Sequence, residues 1–131
     1  MYKSISNHIL VIEDEPIIGE KIVKNLITLT DSNIKLVNTV ADSIDLLDQY
    51  KFNIIILDLN LKDGNGVTIL NKVKKDNLES LVYVFSIDSE LKNICLNKGA
   101  TAFFDKSKDF DNLISTVKTA YWNQMSDKAV L

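Results

Sequence analysis

Residues 54–58 read Ile-Ile-Ile-Leu-Asp, a run of four apolar residues that ends in a carboxylate. A short apolar run rich in β-branched residues predicts a strand that is buried on both faces of a sheet. Asp58 then lies at the rim of that sheet, before the polar segment 60–66, which reads Asn-Leu-Lys-Asp-Gly-Asn-Gly. A carboxylate in this position is open to ligands, but taken alone it is equally well explained as a cap of the loop.

Four other apolar runs of the same kind occur along the chain, and segments with helical spacing of apolar residues separate them. The runs cover residues 9–12, 34–37, 81–85 and 101–104. Pro16 suits the first turn of the first helix, and Gly99 suits the end of the fourth. Five repeats of strand and helix predict an α/β fold, with a five-stranded parallel sheet and five helices on its two faces.

Length and composition indicate one globular domain. The chain has 131 residues, of which 46% are hydrophobic and 25% charged, as is usual for such a domain. We assign residues 1–122 to the domain and 123–131 to a polar C-terminal tail, the frayed end of the last helix.

Charge and cysteine content indicate which partners and which cellular compartment the protein has. A net charge of -3 argues against direct binding of nucleic acid, which needs a basic face. The lone Cys95 cannot form an internal disulfide, which suits a reducing compartment. No signal peptide or membrane-length apolar run is present, so we expect a cytoplasmic protein without membrane insertion.

Polar residues follow four of the five predicted strands. Glu13 and Asp14 end the first strand, Asp58 the third, Ser86 the fourth and Lys106 the fifth. The carboxyl ends of parallel strands share one edge of a sheet, where ligands bind. If these four strands are neighbours, their polar ends form one shallow cleft.

The residue types in this cleft indicate phosphoryl chemistry. Crowded carboxylates without His or Cys suit a hard divalent ion, most simply Mg²⁺. The backbone carbonyl of Asn60 adds one more oxygen ligand. Lys106 and Ser86 supply an ammonium and a hydroxyl for a phosphoryl group, and Asp58 is the candidate nucleophile that forms an aspartyl phosphate.

These residues together resemble the receiver domain of response regulators, the phosphoacceptor module of two-component signalling. The similarity covers residues 8–121 and is closest to a single-domain, chemotaxis-regulator-like receiver. It rests on the segments 11–16, 55–58 with Gly66, 84–86, 99–100 and 103–106. It implies the flavodoxin-like, doubly wound strand order 2-1-3-4-5.

The resemblance also implies roles for individual residues. Asp58 is then the phosphoacceptor, and Mg²⁺ is held by Glu13, Asp14, Asp58 and the Asn60 carbonyl. Ser86 and Phe103 form a switch that reshapes the surface of the fourth helix, fifth strand and fifth helix. Lys106 pairs with the phosphoryl group. Such a protein is not an enzyme in the ordinary sense, although it assists its own phosphorylation and dephosphorylation.

The chain departs from the family pattern beside Lys106 and beside Ser86. Ser107 follows Lys106 where proline is usual, and because a non-proline cis bond costs roughly 2.5–4 kcal/mol we predict a trans bond here. Ile87 replaces a small residue and should hinder small phosphodonors and attacking water, giving slow loss of phosphate. Asn60 and Asp88 occupy positions that tune hydrolysis in the family.

Partners and alternatives remain open from sequence alone. The implied partners are a sensor histidine kinase or histidine phosphotransfer protein and a downstream protein target. A homodimer through the fourth helix, fifth strand and fifth helix is possible. Alternatives are the receiver fragment of a longer DNA-binding regulator, or a pseudo-receiver that binds partners without phosphorylation. Two other classes of protein are disfavoured. A dehalogenase-like phosphatase needs an acid at position 60, where this chain has Asn60. A dinucleotide-binding domain needs a glycine-rich first loop, whereas residues 13–16 read Glu-Asp-Glu-Pro.

Overall fold

The computed structural model describes residues 4–29 and 33–129, with side chains for 9–29 and 33–126. In this part of the chain one five-stranded parallel sheet forms the centre. Its strands, numbered here without a small separate hairpin, are β1 (Ser4–Ile12), β2 (Ile34–Val37), β3 (Tyr50–Leu57), β4 (Leu81–Ser86) and β5 (Ala102–Asp105). They lie in the order β2-β1-β3-β4-β5, which confirms the predicted topology.

Helices cover both faces of the sheet, as predicted. They are α1 (Pro16–Leu26), α2 (Val40–Gln49), α3 (Val67–Lys75), α4 (Lys92–Asn97) and α5 (Phe110–Ala129), and a 3₁₀ turn (Ser89–Leu91) precedes α4. One apolar cluster joins the sheet to α2, α3 and α4, and a second joins it to α1 and α5. No helix in the described ranges combines the length and the apolar content that a membrane crossing requires.

The central strand β3 holds the two clusters together. Ile55 and Leu57 point into the cluster with α2, α3 and α4, whereas Ile54 and Ile56 point into the cluster with α1 and α5. All four are almost completely buried, and burying one such side chain contributes about 1.5–3 kcal/mol. This burial fixes the register of β3. The last residue of the strand and the following Asp58 therefore lie at the carboxyl edge of the sheet.

The helix ends follow the local signals, with one exception at the C-terminus. Pro16 opens α1, and Gly99 adopts a φ of +101° just after α4, a conformation that favours glycine. Helix α5 starts directly after Asp109 and continues to Ala129, so the described part of the predicted tail is helical. Residues 1–3 of the predicted domain and 130–131 of the predicted tail lie outside the described residues.

The loop after Asp58 contains an element that was not predicted. Residues Asn60–Leu61 and Gly64–Asn65 pair as a short antiparallel hairpin. At its tip the Asp63 carboxylate accepts hydrogen bonds from the amides of Val40 at 2.7 Å and Ala41 at 3.0 Å. These two bonds lower the pKa of Asp63 and attach the hairpin to the N-terminus of α2.

Gly66 closes this loop against the backbone of Asp58. Its amide donates to the carbonyl of Leu59 at 2.8 Å. A Cβ atom on Gly66 would lie 2.4 Å from the carbonyl oxygen of Asp58, closer than non-bonded atoms approach. Glycine is therefore required here for a close approach of two backbone segments.

We predict that Gly66→Ala destabilises the domain by about 1–3 kcal/mol, because the new methyl group must displace the backbone of Asp58. Gly19→Ala is the matched control, since the tightest contact of its Cβ would be with the flexible end of Leu36 at 3.0 Å. Alanine is better than glycine inside a helix by about 1 kcal/mol, which offsets that contact. Chemical denaturation measures both, and an equal loss in the two variants would contradict the steric argument.

Candidate functional site

The carboxyl edge of the sheet carries the predicted site residues. Glu13 and Asp14 follow β1, Asp58 follows β3, Ser86 ends β4 and Lys106 follows β5. The amide of Asp58 donates to the carbonyl of Ile12 at 2.9 Å, which fixes the two acidic strand ends side by side. A cavity of about 280 Å³ opens at this edge and is lined by Asp14, Glu15, Asp58, Asn60, Ile87 and Lys106.

Lys106 is the positive centre of the site. Its ammonium lies 3.0 Å from Glu13 Oε2, 3.2 Å from Glu15 Oε2 and 3.3 Å from Asp58 Oδ2. The contact with Glu15 was missed by the sequence analysis. Nothing in the local pattern indicates a contact between residues 91 positions apart, although Glu15 directly follows the acidic pair.

Burial and crowding shift the pKa values of this group. Burial raises the pKa of Glu13 to about 7; the Asp58 charge adds to this, and the Glu15 amide and the Lys106 ammonium oppose it. Burial works against the charge of Lys106, but its contacts with Glu13, Asp58 and Glu15 outweigh this and raise its pKa. The site therefore holds more negative charge than its one ammonium balances.

Asp14 and Asp58 form the part of the site that fits a metal ion. Asp58 is 3% exposed and accepts hydrogen bonds from the amides of Asn60 at 3.1 Å and Asp14 at 3.4 Å. Asp14 Oδ1 is buried and has no hydrogen-bond partner within the described part of the chain. A buried carboxylate oxygen without a partner beside a second carboxylate suits a divalent cation.

The acidic set is not a complete metal cage by itself. Across the described residues, no group of three or more His, Cys, Asp and Glu side chains is arranged to hold a metal ion. Glu13 does not line the cavity, because its Oε2 is engaged by Lys106 and by the amide of Glu15. Mg²⁺ needs only one or two carboxylates and keeps several waters, so Asp14 and Asp58 still fit it.

Ser86 and Phe103 lie behind the cavity rather than in its wall. Ser86 is fully buried, and its Oγ accepts a hydrogen bond from the amide of Asp88 at 3.1 Å. Phe103 is half-buried and packs against the cluster that includes α4. The hydroxyl is therefore engaged by the loop that leads into the 3₁₀ turn and α4.

Two further residues border the mouth of the cavity. Ile87 lines it and is 63% exposed, which places an apolar side chain beside the carboxylates. Asn60 Nδ2 donates to Asp88 Oδ2 at 3.0 Å, so a side-chain bridge joins the loops after β3 and β4. The described chain contains no cis peptide bond, and the predicted trans bond between Lys106 and Ser107 is confirmed.

Comparison with known proteins decides the family. A model of the response regulator receiver domain matches residues 9–118.

The chain belongs to the response regulator receiver domain family.

The prediction from the strand-end residues is thereby confirmed at the level of the family, whose members are phosphoacceptors.

Curated relatives are similar along most of the receiver domain. The nitrate/nitrite response regulator protein NarL of Escherichia coli K12 is 27% identical over 122 residues, covering 89% of this chain and 56% of NarL. The transcriptional regulatory protein MalR of Bacillus subtilis is 26% identical over 107 residues, covering 79% of this chain and 46% of MalR. The chain thus spans about half the length of these relatives.

Solved structures agree with the fold. The signal receiver domain of a putative Luxo repressor protein from Vibrio parahaemolyticus has a TM-score of 0.79 and 23% identity, covering 97% of this chain and 99% of that one. The BeF3-activated DrrB receiver domain has a TM-score of 0.77 and 24% identity, covering 88% of this chain and 97% of that one. At this identity the similarity establishes the fold of the receiver domain.

We predict that Lys106→Met destabilises the receiver domain by about 3 kcal/mol, because it leaves the buried carboxylates of Glu13 and Asp58 without a cation. Lys72→Met is the matched control. Lys72 also lies within 2.9 Å of two carboxylates, those of Asp48 and Asp76, but these are largely exposed, so its loss should stay below about 1 kcal/mol. Denaturant titration without Mg²⁺ measures both, and equal losses would show that burial of the acids is unimportant.

Proposed function

We propose that this receiver domain accepts a phosphoryl group on Asp58 from the phosphohistidine of a sensor histidine kinase or histidine phosphotransfer protein. The observation that carries the proposal is the setting of Asp58. Its buried carboxylate lies 3.3 Å from the Lys106 ammonium and shares a cavity with Asp14, whose buried Oδ1 has no partner in the described structure.

Besides the metal ion, the transfer uses Asp58 and Lys106, the incoming phosphohistidine and one proton from solvent. A carboxylate oxygen of Asp58 attacks the phosphorus atom, and the bond from phosphorus to the imidazole nitrogen breaks. The electron pair stays on that nitrogen, which takes up a proton from solvent. Lys106 stabilises the negative charge on the phosphoryl oxygens as the group arrives.

Magnesium is the proposed cofactor. The ion would be held at the cavity by Asp14, Asp58 and the Asn60 carbonyl. Glu13 would add its negative charge from outside the cavity wall. When bound, the ion neutralises the carboxylates and the phosphoryl oxygens. The unpartnered Asp14 Oδ1 beside Asp58 supports this role; burial and then the Asp58 charge raise the pKa of Glu13, and a cation would favour the charged form of these carboxylates.

The proposed output is a change in the surface formed by α4, β5 and α5. Ser86 would donate its hydroxyl hydrogen to a phosphoryl group on Asp58, and turning toward that group would weaken the hydrogen bond that its Oγ accepts from the Asp88 amide. That amide belongs to the loop that leads into the 3₁₀ turn and the six-residue helix α4. Phe103, packed on the same side, would fill the space that Ser86 vacates. The reshaped surface would bind a downstream protein or a second copy of the chain.

The proposal also covers the setting and the turnover of the protein. We place the protein in the cytoplasm, because the phosphorylated domain of a histidine kinase lies in that compartment. The domain converts no separate substrate and instead assists its own phosphorylation and dephosphorylation. No observation favours a pseudo-receiver, because the acids and the lysine come together.

The relatives support one variant of the proposal. The chain spans about half of NarL and of the transcriptional regulatory protein MalR. A receiver that forms part of a longer DNA-binding regulator is therefore the second candidate, with the same phosphorylation chemistry and a different output.

We predict that beryllofluoride, a phosphoryl mimic, shifts the amide resonances of the site and of α4, β5 and α5 only when Mg²⁺ is present. Asp58→Asn should abolish these shifts, because an amide cannot replace the carboxylate that binds beryllium. Asp45→Asn, at an exposed position of α2, is the control and should behave as the wild type. Shifts that survive in Asp58→Asn would contradict the phosphoacceptor, and shifts confined to the cavity would contradict the proposed output surface.

We predict that Ile87→Ala speeds loss of phosphate and labelling by acetyl phosphate about fivefold, which corresponds to roughly 1 kcal/mol of barrier. The reason is that Ile87 lines the cavity and restricts the approach of water and small donors. Ile17→Ala is the control, because Ile17 is 81% exposed on α1 and does not line the cavity. Radiolabelled phosphate measures both rates, and unchanged rates in Ile87→Ala would contradict the screening role.

A further inference from the structure

The turn that follows β5 carries Lys106 into the site. The last residue of β5, Asp105, pairs with Ser86 in the sheet register. The amide of Lys106 donates to the carbonyl of Ser86 at 3.0 Å, the last bond of that ladder. From this point the lysine side chain must cross to carboxylates that follow β1 and β3.

Asp105 organises this turn with both its side chain and its backbone. Its Oδ1 accepts hydrogen bonds from the Ser107 amide at 2.8 Å and the Ser107 hydroxyl at 2.6 Å. Its carbonyl accepts from the amides of Lys108 at 3.2 Å and Asp109 at 2.8 Å. Its own amide donates to Asp109 Oδ2 at 3.1 Å. The Ser107 hydroxyl and then the Ser107 amide lower the pKa of Asp105, which keeps it ionised as a strong acceptor.

These bonds restrict a turn that contains no proline. A proline at position 107 would fix φ by its ring and would have no N–H to donate. Ser107 leaves φ free and adds two donors, the amide and the hydroxyl. Both donors are bound to the same oxygen of Asp105, so hydrogen bonds here supply the constraint that a ring would otherwise give.

The direction of Lys106 depends on this constraint. A lysine side chain has several rotatable bonds and about 2 kcal/mol of rotamer entropy, so its end is well placed only if its backbone is fixed. The Lys106 ammonium nevertheless lies within 3.3 Å of both Glu13 and Asp58. In the described part of the chain, the side-chain hydrogen bonds that involve Asp105 are made with Ser107 and Asp109 and not with these carboxylates.

We propose that Asp105 is a positioning residue that fixes the turn carrying Lys106, and thereby sets the affinity of the site for a phosphoryl group without touching it. The inference rests on the proposed function of Asp58 and extends it to a residue outside the cavity. A positioning role predicts a specific pattern: phosphoryl binding weakens, whereas metal binding does not, because Lys106 is not a metal ligand.

The test is a pair of titrations on the full chain, monitored through its amide resonances. Mg²⁺ alone gives the metal affinity, and beryllofluoride at saturating Mg²⁺ gives the affinity for the phosphoryl mimic. Asp105→Ala should weaken beryllofluoride binding about tenfold, as expected for a displaced catalytic group, and should not weaken Mg²⁺ binding, because Lys106 is a cation that repels the metal ion. Asp105→Asn keeps the Oδ1 acceptor and should restore most of the beryllofluoride affinity.

Two further variants keep the result interpretable. Ser107→Ala removes the hydroxyl and leaves the amide bond to Asp105, so its effect should lie between the wild type and Asp105→Ala. It also provides the measurement if Asp105→Ala does not fold. Asp111→Ala removes an exposed carboxylate from the first turn of α5 and should bind both probes as the wild type does, which controls for the loss of negative charge.

The outcomes separate this inference from the proposed function. A wild-type protein that binds no beryllofluoride refutes the proposed function, and the inference falls with it. If the wild type binds and both Asp105→Ala and Ser107→Ala bind equally well, the positioning role alone is wrong. Equal weakening of Mg²⁺ and beryllofluoride, or no recovery in Asp105→Asn, also overturns it, since these results indicate a general structural or charge effect.

Discussion

One ammonium group, that of Lys106, holds together a cluster of carboxylates that would otherwise repel one another. It lies within 3.3 Å of Glu13, Glu15 and Asp58. A pair of charges at 4 Å interacts with about 4 kcal/mol at an effective dielectric constant of 20, so repulsion among buried acids is comparable to the stability of a domain. The arrangement persists because the acids are attached to strand ends that the hydrophobic core fixes in place. Such a cluster of acids favours a further cation, which is the physical basis of the proposed metal and phosphoryl site.

The apolar strand β3 and the polar cavity are two consequences of the same run of residues. Ile54 to Leu57 bury alternate side chains in the two clusters on opposite faces of the sheet. This burial leaves β3 no freedom to slip, because a shift by one residue would exchange the two faces. Asp58 is therefore positioned by packing, and no hydrogen bond of its own side chain is needed to bring it to the edge.

The sequence was sufficient for the features that depend on composition and order. Apolar runs identified the strands, and the carboxyl ends of parallel strands must share an edge, so the meeting of Asp58 with Lys106 was predictable. The hairpin at residues 60–65 and its attachment to α2 through Asp63 were not predictable, because they depend on backbone geometry and on a contact over 22 positions or more. The contact between Glu15 and Lys106 spans 91 positions and has no local signal. The Asp105–Ser107 bonds are local, but their proposed role could not be predicted, because it depends on where the Lys106 ammonium lies.

The buried hydroxyl of Ser86 lies at the end of β4 and contacts the loop that leads into the 3₁₀ turn and α4. Its Oγ accepts a hydrogen bond from the amide of Asp88, and leaving that amide without a partner costs about 1–3 kcal/mol. A hydrogen bond that Ser86 donates to an ionised phosphoryl oxygen would be about twice as strong as a neutral one, so it would offset a weakening of the bond from the Asp88 amide as the side chain turns. The bridge from Asn60 to Asp88 stabilises the same loop and adds to the cost of moving it. In the proposed switch, phosphorylation of Asp58 would shift the population of this loop toward the position in which Ser86 bonds to the phosphoryl group.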